Sequence, residues 1–153
     1  MSTPAPVLLI VPSLVRAGAE TQVVSLANGL AERGYEVHLA SFGTALDQLD
    51  RVDRSRVRFH ALRREDRLGL GLVRQLARLM DTHRYAVVHC TLQISLFYGF
   101  LARWRSRHKA PLIAAIHTTL NLSVREERFD RWLYRPLLGR CAHVMFVCQA
   151  QAR

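Results

Sequence analysis

Val7-Leu8-Leu9-Ile10-Val11 is followed by Pro12-Ser13-Leu14-Val15-Arg16-Ala17-Gly18-Ala19 and then by the run from Glu20 to Arg33. The first five residues are an unbroken apolar run of strand length. A strand that is apolar on both faces belongs inside a covered parallel sheet. The third segment repeats apolar residues at Val23, Val24, Ala27, Leu30 and Ala31, which is the stripe of an amphipathic helix. Gly34 stands where a left-handed helix cap is expected. Gly18 lies between strand and helix, just before the helix N-terminus. Free amides and the positive end of the helix dipole make that place an anion site. The unit is the opening of a nucleotide-type α/β fold.

The rest of the chain repeats it. Glu36–Ala40 and Arg56–Leu62 alternate and predict two further strands. A short helix is expected over Ala45–Leu49. Leu72, Val73, Leu76, Leu79 and Met80 predict a helix from Leu70 to Thr82. Tyr85–His89 predicts the fourth strand. Ile94, Phe97, Tyr98, Leu101 and Trp104 predict a helix ending near Arg105. Pro111–Ile116 is the fifth strand and His117–Ser123 a loop. A helix is expected from Val124, kinked or restarted at Pro136, and His143–Val147 is the sixth strand. Six strands joined mostly by helices predict one doubly wound α/β domain with a mainly parallel sheet. In the order 3-2-1-4-5-6 the winding reverses between the first and fourth strands, and ligands sit beyond the carboxyl ends there. Pro12–Ala19, His89–Thr91 and His117–Asn121 are the segments expected at that point.

Composition narrows the function. The chain has 153 residues and a formal net charge of +10, with 22 Lys and Arg of which only Lys109 is lysine. That balance suits polyanionic partners or phosphorylated substrates, and equally a genomic preference for arginine. Cys90, Cys141 and Cys148 form no pairing framework, which points to a reducing compartment and buried thiols. Neither a secretory leader nor a stretch long enough to span a bilayer is visible. A cytoplasmic protein is expected, one that can also touch a membrane surface. No G-x-G-x-x-G follows the first strand, and G-K-[ST] and G-x-S-x-G are both missing. Nor does any group of Cys, His and acidic residues have metal-ligand spacing in the sequence.

The segment V-P-S-L-x-x-A-G-A-E-T-Q-V-V-S-L-A-N-G-L-A-E-R-G-Y-E-V-H-L-A resembles the start of the family 4 retaining glycosyltransferases of GT-B fold. Three later strands resemble theirs in order: Tyr85–His89, Ala114–Thr119 and Cys141–Cys148. The chain departs from the family pattern at Ala17, Ala86, Thr91, Ala142 and Cys148. The resemblance implies a Rossmann-like N-terminal, acceptor-side domain over residues 1–153, without the C-terminal nucleotide-sugar-binding domain. It implies transfer of a sugar from a nucleotide-diphosphate sugar to an acceptor hydroxyl, with a lipid-linked or cell-envelope acceptor in view. This half alone is expected to be inactive, and no cofactor or metal is implied.

By the same resemblance His117 is the catalytic candidate, lying over the transferred sugar. Composition alone would make it a histidine bonded to backbone at a strand end. Gly18 and Ala19 are the candidates for the donor diphosphate, although a plain tight turn also explains Gly18. Glu20, His89, Thr91, Ser95 and Asn121 are candidates for the acceptor pocket. A carboxylate in the first helical turn repels phosphate, so Glu20 is expected to satisfy helix-end amides or to face the acceptor. Arg103, Arg105, Arg107, His108 and Lys109, with Arg125, Arg128, Arg131 and Arg135, form two basic surfaces suited to anionic lipid or to plain solvation. One rival reading is a non-catalytic module pairing with a separate donor-binding chain, which Ala17 and Thr91 favour. A nucleic-acid binder is not expected, since aromatic and basic residues do not interleave on a sheet face.

Overall fold

A computed structural model describes residues 5–117 and 130–146. The strands are β1 (Val7–Val11), β2 (Val37–Ser41), β3 (Val57–Ala61), β4 (Val87–Thr91), β5 (Leu112–Ile116) and β6 (His143–Phe146). The helices are α1 (Gly18–Glu32), α2 (Leu70–His83), α3 (Gln93–Arg105) and α4 (Arg135–Leu138), the last preceded by a wide turn over Asp130–Tyr134. The sheet order is β3-β2-β1-β4-β5-β6 and every pairing is parallel. This is the doubly wound α/β sheet that the alternation of apolar runs and amphipathic stripes predicts.

Two cores flank the sheet because successive residues of a strand point to opposite faces. Leu8, Ile10, Ala40, Val88 and Cys90 face α2 and α3, packing with Leu72, Leu76, Met80, Leu96 and Ala102. Val7, Leu9, Val11, Val37 and Leu39 face α1, packing with Val23, Val24, Ala27 and Ala31. Burial of β1 on both faces is complete, which is why it reads as a continuous apolar run. Gly34 has φ +86° and donates its amide to Ala31 O, the left-handed helix stop that a side chain would strain.

Three sequence expectations shift. Helix α1 begins at Gly18 rather than Glu20, so Gly18 belongs to the first turn, with Ala17 as an extended N-cap that offers no side-chain bond. Strand β4 runs from Val87 to Thr91, two residues later than expected, and His89–Thr91 is strand rather than loop. Tyr85 instead drops into the core, fully buried, while the Ala86 amide donates to Pro6 O. No α-helix forms over Ala45–Leu49. Leu14 N donates to Ala45 O and Gln48 N to Leu14 O, so this segment spends its hydrogen bonds on the loop after β1. Only a single 3-10 turn, Leu49–Arg51, follows. The helix expected from Val124 lies outside the described residues up to Phe129. Beyond it, Pro136 sits in the first turn of α4, where its missing N–H costs no bond.

Candidate functional site

Strand parity places the site. His89 pairs with Ile113 and Thr91 with Ala115, so these side chains share the α1 face, and His117 continues the row beyond β5. His89, Thr91, Ala115, Ile116 and His117 line a concavity of about 220 Å³ with Gln22, Val23 and Leu26 of α1 and Met145 and Phe146 of β6. It opens at the carboxyl ends of β4 and β5, next to the β1/β4 reversal, where ligands of such sheets bind.

Two imidazoles dominate it electrostatically. Burial, with His117 close by, holds His89 down to about 4, and its Nδ1 lies 3.3 Å from Thr91 Oγ1. Burial also lowers the pKa of His117, opposed by the nearby Glu20 carboxylate. Both are therefore neutral near pH 7. Each offers one N–H donor and one acceptor nitrogen, suited to the hydroxyls of a sugar and not to the charge of a diphosphate. Glu20 is 6% exposed in the first turn of α1, and its influence on His117 ties that turn to the concavity.

The start of α1 lies beside them. The first amides of a helix have no partner within it, and the dipole favours an anion there. Among the described residues, a Cβ built on Gly18 would meet nothing within 4 Å, and its φ is not positive. Among the described residues, neither packing nor a positive φ requires glycine at that position.

The other candidates fall elsewhere. Ser95 is fully buried on α3, on the opposite face from α1, and its hydroxyl has no hydrogen-bond partner among the described residues. Asn121 lies outside the described residues. Gln48, unmarked in the sequence, proves central to the loop after β1. It is fully buried, its Nε2 donates to Val15 O at 2.6 Å, and its Oε1 accepts from Thr21 Oγ1 at 3.1 Å and Arg51 at 2.9 Å. A lone glutamine in a polar loop carries no periodic or motif signal that would have singled it out.

The basic cluster after α3 is partly structural. Lys109 Nζ donates to the carbonyls of Arg103, Trp104 and Ser106, Arg103 Nε to Ala110 O, and His108 Nε2 to Tyr85 O. These contacts close the end of α3. Exposed Arg74, Arg78, Arg105 and Arg107 gather around a separate hollow, and Trp104 stands 77% exposed beside them. Among the described residues, no helix is long and apolar enough to cross a membrane. Arg125 and Arg128 lie outside the described residues.

Residues 16–153 match Glycosyltransferase Family 4. No curated protein sequence matches the chain. Among solved structures, HepE of Anabaena in complex with UDP and glucose superposes with a TM-score of 0.70 at 18% identity, over 92% of this chain and 37% of that one. The lipopolysaccharide outer core galactosyltransferase WaaB gives 0.67 at 13%, over 91% and 38%. MurG of Acinetobacter baumannii gives 0.65 at 11%, over 94% and 41%. The chain thus spans about two fifths of the length of the structures it resembles. At these identities the likeness carries the fold, and the family match carries the membership. The chain belongs to Glycosyltransferase Family 4, and its fold is that of the N-terminal domain of the GT-B glycosyltransferases.

Proposed function

We propose that this domain is the acceptor-side half of a retaining transferase that moves a sugar from a nucleotide-diphosphate sugar to an acceptor hydroxyl. The observation that carries the reading is the concavity at the carboxyl edge of the sheet, where His89, Thr91 and His117 converge beside the first turn of α1. His117 holds the transferred sugar. The amides at Gly18 and Ala19 meet the donor diphosphate, whose charge grows as the bond to the sugar breaks. Fixed donors aimed at developing charge are the commonest large contribution to such catalysis. Glu20, His89 and Thr91 shape the acceptor side. Ser95 stays in the core.

A second α/β domain supplies the nucleotide site. Supporting this, Met145 and Phe146 of β6 are 53% and 42% exposed at the rim of the concavity. Apolar surface of this kind beside a pocket is what a facing domain covers. HepE is described with UDP and glucose, so a UDP-hexose is the first donor to try. The exposed arginines and Trp104 suit a cytoplasmic membrane face and a lipid-linked or cell-envelope acceptor. The reading is tested by titrating UDP- and GDP-sugars into the 153-residue chain and into a protein extended with a second α/β domain. Transfer only by the longer protein is expected. Turnover by the short chain overturns the division of labour.

A further inference from the structure

A second group of chemistry-bearing residues lies far from the concavity. Glu36 immediately precedes β2, His38 is the second residue of β2, and His83 is the last residue of α2. His38 is in register with Leu8, so it faces α2 and α3, whereas the concavity lies on the α1 side. Glu36 and Tyr85 precede the strands they lead into, so the group sits toward the amino ends of the sheet. One ligand atom each of Glu36, His38 and His83 fall within 4.8 Å of one another. His38 Nε2 lies 3.2 Å from Glu36 Oε1, and the His38 and His83 rings meet edge-on with centroids 4.4 Å apart.

We propose that Glu36, His38 and His83 bind a divalent transition cation of the zinc class. Zinc with nitrogen and carboxylate ligands at about 2.0–2.2 Å places its ligand atoms about 3.4 Å apart, a modest contraction of the present group. Two imidazoles and one carboxylate select zinc, nickel or cobalt over magnesium and calcium, which take oxygen ligands.

The surroundings match a metal-bound histidine. With the cation on Nε2, His38 carries its proton on Nδ1. Two groups stand ready there: the Tyr85 hydroxyl at 2.7 Å and His60 Nε2 at 3.0 Å. A ligating histidine ordinarily anchors its second ring nitrogen in this way, and the anchor fixes ring orientation and basicity. His38 is itself fully buried while Glu36 and His83 are partly exposed, so a solvated ion can reach the site without opening the core. Arg58, whose guanidinium lies 3.4 Å from Glu36 Oε1, is the cation that the metal would displace. Its side chain is 64% exposed and swings away at little cost. The role is structural, clipping the end of α2 to β2.

The test uses the tag-free chain, stripped of metal, in chelator-competed titration with zinc and in thermal melts. One equivalent is expected, with a Kd of about 1 μM or tighter, and a melting point that rises with zinc because the ion binds only the folded state. Millimolar magnesium should shift nothing. His83→Ala and Glu36→Gln should each weaken zinc at least roughly tenfold, as loss of a ligand does. His143→Ala, an exposed histidine on β6, should leave it unchanged. Zinc affinity that survives both ligand variants, or a Kd weaker than about 100 μM for the unaltered chain, overturns the site. Glu36→Gln removes no packing, so it decides the matter even if His83→Ala does not fold.

Discussion

Gly99 of α3 lies directly over Cys90 of β4: a Cβ on Gly99 would come 2.7 Å from Cys90 Sγ and 3.6 Å from Ile10 Cδ1. The helix can approach the sheet this closely only because the side chain is a hydrogen. Gly99→Ala should therefore destabilise the domain by about 1–3 kcal/mol, the usual cost of overpacking. Gly18→Ala should leave the melting point unchanged or slightly higher, since the added Cβ meets nothing and alanine is the better helix former. Paired melts check both. A large loss at Gly18 would show that the glycine serves packing after all.

Acid should weaken the fold through His89. Its pKa is about 4 in the folded chain, because burial disfavours the imidazolium, against about 6.5 when unfolded. Between those values the unfolded chain takes up a proton that the folded chain refuses. The contribution is thus complete above pH 6.5 and is lost as pH falls toward 4, amounting to roughly 3 kcal/mol at most. His89→Gln should flatten this limb of the stability curve, as read by urea unfolding at a series of pH values. An unaltered slope would place the proton uptake elsewhere.

His117 should matter to transfer and little to folding. In a protein extended with a second α/β domain, His117→Ala should lower kcat by about 10²-fold or more, in line with loss of one preorganised polar contact. The melting point of the isolated domain should barely move, because the half-buried ring fills no core position. Near-normal turnover with a large drop in stability would make it a packing residue.

The exposed arginines and Trp104 should bring the domain to anionic bilayers. Flotation with phosphatidylglycerol vesicles at low salt, and release as salt rises, is expected because screening shortens the reach of surface charge. Charge reversal at Arg78 and Arg105, neither of which holds a described structural contact, should abolish flotation. Equal binding to neutral vesicles would assign it to Trp104 alone.

The architecture was legible because it rests on local periodicity. A strand covered on both faces must be apolar throughout, as Val7–Val11 is, and a helix on a sheet must carry one stripe, as Val23, Val24, Ala27 and Ala31 do. The position of His117 was legible for the same reason, since it ends an apolar strand. Boundaries were less so. Thr91 reads as a loop residue, yet its backbone pairs with Ala115 and extends β4, and a buried polar strand end leaves no mark in hydropathy.

The sequence by itself determined the class of fold, the strand order at the reversal and the family. Only the tertiary structure decided that His89, Thr91 and His117 share one concavity while Ser95 lies on the other face, because strand parity and helix side are fixed by register. It alone brought His38 and His83, 45 positions apart, into edge-on contact with Glu36 alongside. Spacing rules detect ligands carried on one element or one turn. These three come from the lead-in to β2, from β2 itself and from the end of α2, with β3 between them in the chain, and their separation along the chain holds no information about their separation in space.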